Sequence, residues 1–209
     1  MRNILIANTK GGSGKTTLAT NLAGYFATLG GNVVLADLDR QQSSAQWLER
    51  RSADLPLIQS QHARSKASKI EPDWIVTDSP AGLRDDKLAA AVKQASCVIV
   101  PIQPSAFDIG ATRDFLEILA AEKAIRKSKT FVALVGMRVN MRTHAAANLA
   151  EFMQQTGLPV LTYLRSTQVY TLAAEQGSTI FDMRPAAVTQ DLEQWSPLLE
   201  WVLEATSAA

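Results

Sequence analysis

The chain has 209 residues, 46% of them hydrophobic and 20% charged, a balance that excludes disordered, collagenous and coiled-coil classes. At a prior of ~150 residues per domain, the length predicts a single domain over residues 1–209. Lysine and arginine number 21 against 20 acidic residues, a formal net charge of +1, so affinity for nucleic acid has to come from a local patch.

The first apolar run, Ile4 to Ala7, is too short for a secretory hydrophobic segment. No later run approaches the ~18 apolar residues of a transmembrane helix, and a cytoplasmic protein is expected. After a glycine-rich stretch, Leu18, Leu22, Tyr25, Phe26 and Leu29 recur at helical spacing, and Val33 to Ala36 reads as the next strand. The polar stretch from Ser52 to Pro72 carries Arg64, Lys66 and Lys69 and reads as a surface excursion around one short strand, Leu55 to Ile58. Further strands are predicted at Trp74 to Thr77, Cys97 to Pro101, Phe131 to Val139 and Val160 to Thr162, with a helix through Phe115, Ile118 and Leu119. Cys97, the single cysteine, reads as a reduced interior thiol and excludes both intrachain disulfides and multi-cysteine metal sites. Strands alternating with helices predict a three-layer, doubly wound α/β fold with a mostly parallel sheet and ligands outside the carboxyl ends of its strands.

Thr9-Lys10-Gly11-Gly12-Ser13-Gly14-Lys15-Thr16-Thr17 lies between the first strand and the first helix. In that context a glycine-rich turn lets backbone N–H groups and the helix N-terminus surround phosphate oxygens. Gly11, Gly12 and Gly14 permit positive φ and close approach, Lys15 can reach β- and γ-phosphates, and the Thr16 hydroxyl can ligate Mg²⁺, with Ser13 and Thr17 completing the cradle. A chance match to this pattern arises roughly once in a hundred million starts, which sets aside an incidental lysine after a glycine turn. An ordinary phosphate loop has glycine where Thr9 stands, and here a second lysine, Lys10, follows it.

With two lysines, the loop resembles that of the ParA/MinD family of deviant Walker A ATPases, Lys10 taking the place of the signature lysine. The resemblance implies ATP and Mg²⁺ as cofactors, ATP hydrolysis, and a homodimer formed in ATP in which Lys10 reaches the nucleotide of the facing copy. Alternation puts Asp37 and Asp39 on one face at the end of their strand. By resemblance, Asp39 positions the attacking water, Asp37 supports the Mg²⁺ shell or the loop, and Asp78, followed by Ser79-Pro80-Ala81-Gly82 as in a Walker B segment, holds Mg²⁺. Solvated strand-end turns are the plain alternative for each. Arg40 stands where the family usually has proline. Val100 to Ser105 resembles the loop preceding the family's dimer-interface helix, and Thr162 to Asp182 its penultimate region. Asn140 resembles the adenine-side asparagine, with an ordinary turn before Arg142 as the alternative.

The resemblance also implies nonspecific binding of double-stranded DNA on the nucleoid and a ParB-like or adaptor partner that stimulates hydrolysis, the cargo being a plasmid or a protein organelle such as the carboxysome. Candidate DNA contacts are Arg126, Lys127, Lys129, Arg138, Arg142 and Arg165, a set that a dimer would double, although each also reads as a solvated surface charge. The length leaves no room for an N-terminal helix-turn-helix, so operator binding is not expected. A MinD-like membrane-positioning ATPase would need a basic amphipathic tail. Residues 192–204 instead carry Glu193, Glu200 and Glu204 and predict packing of Trp195, Leu198, Leu199 and Val202 on the core, with no membrane contact. A small-molecule ATP-dependent ligase on the same scaffold would need a substrate pocket, for which no basic or nucleophilic constellation stands out. One cysteine cannot supply the ligands of an iron–sulfur reductase.

Overall fold

The computed structural model describes residues 1–61 and 71–207, and Arg64, Lys66 and Lys69 lie outside the described residues. Seven strands, β1 (Arg2–Ile6), β2 (Val33–Asp37), β3 (Ile58–Ser60), β4 (Trp74–Asp78), β5 (Cys97–Ile102), β6 (Phe131–Val139) and β7 (Val160–Arg165), form one sheet in the order β3-β2-β4-β1-β5-β6-β7. Every pairing is parallel, where the sequence predicts a mostly parallel sheet. The helices among the described residues are α1 (Lys15–Thr28), α2 (Ser43–Glu49), α3 (Asp85–Gln94), α4 (Ala106–Ala121), α5 (Lys123–Arg126), α6 (His144–Gln155), α7 (Val169–Glu175) and α8 (Pro185–Ser207), with a short 3₁₀ helix at Ile180–Asp182.

Strand alternation decides the two faces of the sheet. Ile4 and Ile6 of β1, with Cys97 and Ile99 of β5, face a layer built from Leu18, Leu22 and Phe26 of α1, Trp47 of α2 and Trp195 of α8. Leu5, Val98 and Val100 face the opposite layer, where Leu88 of α3, Phe115 of α4 and Leu149 and Phe152 of α6 pack. Phe26 stacks on Trp74 with ring centroids 3.6 Å apart, and truncating such a buried ring to alanine costs roughly 3–5 kcal/mol. Trp195, Leu198, Leu199 and Val202 are buried as predicted, while Glu193, Glu200 and Glu204 are exposed. No helix among the described residues is long and apolar enough to cross a membrane.

Three details differ from the sequence expectations. The short strand begins at Ile58, because Ile58 pairs with Val33, the first residue of β2; Leu57 before it is 75% exposed. Leu29 forms the C-cap of α1 and is exposed, as is Ile118 on α4, so neither belongs to the core.

The order of the strands fixes where a ligand can sit. β1 lies between β4 and β5, and the connections leave in opposite directions on either side of it. A crevice therefore opens at the carboxyl end of β1, where residues 9–14 lead into α1.

Candidate functional site

Gly12 and Gly14 adopt φ of +76° and +103°, conformations that strain any residue with a Cβ. At Gly14, the N-cap of α1, a Cβ would also meet Met137 Cε at 2.7 Å. Lys15 Nζ donates to the Lys10 carbonyl at 2.9 Å, so the loop closes on its own lysine. Burial lowers the Lys15 pKa from its ordinary value, and the carboxylates of Asp78 and Asp39 oppose that shift. The loop, Asp39 and Ser79 enclose a cavity of about 310 Å³.

Thr16, which lines that cavity, donates from Oγ1 to Asp78 Oδ2 at 2.8 Å. Burial pushes the Asp78 carboxyl up to about 7 against the Thr16 hydrogen bond, with the charge of Asp37 adding to the rise and Lys15 opposing it. Among the described residues, the buried side-chain polar atoms without a hydrogen-bond partner are Ser13 Oγ, Asp78 Oδ1 and Ser79 Oγ, and all three belong to this site. Buried polar atoms are ordinarily paired, so three orphans beside one glycine loop mark a place built for an anion and a cation. No group of three or more His, Cys, Asp or Glu side chains able to hold a metal occurs among the described residues. Thr16 and Asp78 instead form the sparse oxygen set that suits Mg²⁺, which keeps waters and takes phosphate oxygens.

The structure separates the tasks of Asp37 and Asp39. Asp37 Oδ2 accepts from the Ser44 amide at 2.9 Å, the Ser44 hydroxyl at 2.7 Å and the Ala45 amide at 3.1 Å. Its Oδ1 accepts from the Asp39 amide at 2.9 Å. Asp37 thus caps the N-terminus of α2 and holds the loop: three donors crowd Oδ2, while Oδ1, with one donor, keeps a second lone pair. Asp39 lines the phosphate cavity, and its Oδ1 accepts from the Gln41 amide at 3.0 Å. Arg40 is exposed on the turn that Gln42 closes by donating to the Asp39 carbonyl at 3.1 Å.

A larger cavity of about 890 Å³ opens beside the loop, walled by Gly14, Met137, Leu164, Tyr170 and the 165–168 segment. Its size suits a base and sugar. Asn140 lines neither cavity: its Oδ1 accepts from the Arg142 amide at 3.2 Å, the turn geometry that was the alternative in sequence. The register of β6 against β7 shifts between Gly136 and Val139, and Arg138 takes φ of +52° at that irregularity. Arg138 lines both cavities as a result, a position the sequence pattern does not reveal.

The candidate DNA contacts do not form one patch: Arg138 and Arg165 line the larger cavity, and the others lie elsewhere. Arg126, Lys127 and Lys129 are exposed in and after α5, before β6 and so at the amino ends of the strands; Lys127 and Lys129 share a cavity wall there with Lys93 and Lys123. Arg142 follows β6, at the carboxyl ends. Arg165 is engaged in a different way, its Nε and one terminal nitrogen each donating at 2.8 Å to the buried Asp191 carboxylate.

Residues 4–180 match the CobQ/CobB/MinD/ParA nucleotide binding domain model. The chain belongs to this family. It is 29% identical over 190 residues to the maintenance of carboxysome distribution protein A of Halothiobacillus neapolitanus, covering 86% of this chain and 87% of that one. The protein of the same name from Gloeobacter kilaueensis is 31% identical over 190 residues, covering 88% and 85%. Among solved structures, a Cyanothece McdA variant in complex with ATP superposes with a TM-score of 0.72 at 18% identity, covering 98% of this chain and 96% of that one. The fold and the family are therefore those that the two-lysine loop resembles, and the chain is of the type that includes carboxysome-distribution and partition proteins.

Proposed function

We propose that this chain is a single-domain, Mg²⁺-dependent ATPase of the carboxysome-distribution and ParA type. It forms a homodimer in ATP, binds double-stranded DNA without sequence preference, and positions a plasmid or protein organelle under an adaptor partner that stimulates hydrolysis. The observation that carries this is the cluster of orphaned buried oxygens, Ser13 Oγ, Asp78 Oδ1 and Ser79 Oγ, around a loop whose Lys15 is already desolvated. Named relatives act in carboxysome distribution, which supports the cargo class.

In this mechanism the loop amides and Lys15 bind the β- and γ-phosphates, and Lys15 exchanges the Lys10 carbonyl for a phosphate oxygen. Thr16 and Asp78 hold the metal, which stabilises charge on the transferred phosphoryl group. Asp39, at the mouth of the phosphate cavity, orients the attacking water. The Met137, Leu164 and Arg138 wall takes the base and sugar. Lys10, partly exposed, supplies a cation to the nucleotide of a facing copy. Exposed basic residues, chiefly Arg126, Lys127 and Lys129, meet DNA phosphates and place the ATP form on the nucleoid, in the cytoplasm.

Sedimentation velocity with Mg²⁺ and a non-hydrolysable ATP analogue tests the proposal. The wild type is expected to sediment as a dimer in the analogue and as a monomer without it, and Lys15→Ala to remain monomeric and lose the analogue. Monomers of the wild type under every condition, or full analogue affinity in Lys15→Ala, would overturn it.

A further inference from the structure

One buried amide ties the phosphate loop to the far side of the sheet. Asn8, between β1 and the loop, is 1% exposed. Its Nδ2 donates to the Pro101 carbonyl at 2.8 Å and to the Thr112 hydroxyl at 2.9 Å. Its Oδ1 accepts from the Lys10 amide at 3.1 Å. Only this orientation satisfies all three, because the Lys10 N–H can only donate and the Pro101 carbonyl only accept. Thr112 is wholly buried on α4, and Gln103, in the segment before α4, donates from Nε2 to the Gly12 carbonyl. The Lys10 ammonium, by contrast, makes no hydrogen bond or ion pair with the described residues. The backbone under Lys10 is fixed while its partly exposed ammonium has no partner among the described residues.

We propose that Asn8 is a positioning residue for Lys10. Its amide anchors the root of the lysine to the end of β5 and to α4, so that the ammonium is presented to a second copy without the backbone having to be ordered on association. The inference rests on the ATP dimer proposed above. Asn8 touches no phosphate itself and acts through Lys10.

The test is a double-mutant cycle on dimerisation, read by sedimentation velocity in Mg²⁺ and a non-hydrolysable ATP analogue. Calorimetry follows analogue binding at dilutions where the wild type is monomeric. Asn8→Ala is expected to weaken the dimer about tenfold for each copy, the loss that follows from one buried hydrogen bond, while monomer affinity for the analogue changes less than about threefold. In a Lys10→Ala background, Asn8→Ala is expected to cost nothing further, since the residue through which it acts is gone. Thr112→Val removes one of the two acceptors of Nδ2 and serves where Asn8→Ala does not fold. It is expected to weaken the dimer about threefold, with Thr112→Ser restoring it. Additive losses in the Asn8→Ala, Lys10→Ala double variant, or wild-type dimerisation in both Asn8→Ala and Thr112→Val, would overturn the assignment. A wild type that stays monomeric in the analogue defeats the dimer itself, and this inference with it, before any variant is compared.

Discussion

Asp37→Ala distinguishes a carboxylate that holds the backbone from one that holds a metal. In the wild type, Oδ2 accepts at 2.9, 2.7 and 3.1 Å from the Ser44 amide, the Ser44 hydroxyl and the Ala45 amide, and Oδ1 accepts at 2.9 Å from the Asp39 amide. Ser44 is wholly buried, so its donors have no water to turn to once the carboxylate is removed. A hydrogen bond to a charged acceptor contributes ~1.5–3 kcal/mol, and a buried donor left unpaired adds its own desolvation cost. Three of the donors share one oxygen and their contributions do not sum, so a loss of ~3 kcal/mol is expected, with a fall in Tm of roughly 6–12 °C for a chain of this size. Urea unfolding in EDTA without nucleotide reads this directly, because no metal can contribute there. An unchanged midpoint in EDTA, together with lost Mg²⁺-dependent nucleotide affinity, would refute the capping role and return Asp37 to the metal shell.

Asp39→Ala is expected to keep nucleotide binding and dimerisation while hydrolysis falls at least ~100-fold, the usual scale for one positioned group; phosphate release at the wild-type rate removes Asp39 from the mechanism. The Asp78 carboxyl, raised to about 7 in the folded chain, binds its proton more tightly there than in the unfolded one. Stability of the apo protein is therefore expected to fall as pH rises from about 4 to about 7, by up to ~1.4 kcal/mol per unit, and Asp78→Asn to lose that slope in urea titrations; parallel curves would contradict it. Changing Lys127 and Lys129 together to glutamine is expected to reduce the slope of log affinity for random duplex DNA against log salt by up to ~2, and an unchanged slope places the DNA elsewhere.

The site was legible in sequence where its chemistry is local. Lys10 to Thr17 carry their own context, a strand before and a helix after, and Asp78 ends a strand that pairs in register with β1 through Ile6. What was not legible depends on partners distant in the chain or on backbone irregularity. The capping role of Asp37 depends on the N-terminus of α2, which follows Gln42 at φ of +51° and donates back to the end of β2. Asn140 turns its amide oxygen to the Arg142 N–H, and the near-continuous apolar run from Phe131 to Val139 gives no sign of the register shift within it. The partners of Asn8 lie 93 and 104 residues away, and in sequence it reads only as a polar residue between a strand and a glycine turn. The same distance hides Arg51, whose guanidinium pairs with Asp182 at 2.8 Å with both side chains nearly inaccessible, bracing α2 against the segment after α7.

The direction of the strands also alters what a dimer could do with DNA. In a wholly parallel sheet, the loop, Asp39 and Asp78 gather at the carboxyl ends, while Arg126, Lys127 and Lys129 precede β6 and lie at the amino ends. Two copies meeting across their nucleotides would oppose their carboxyl ends and turn these basic ends away from each other. The patch would then be duplicated and not enlarged: each copy would present its own footprint, with the salt slope for a single short duplex unchanged between monomer and dimer. The gain from ATP would come through two linked footprints engaging separate duplexes, or distant parts of one, at high effective concentration. Arg138, Arg142 and Arg165 are the basic candidates at the carboxyl ends, nearest a seam between copies, so a slope that steepens with ATP would point to them and away from the α5 cluster.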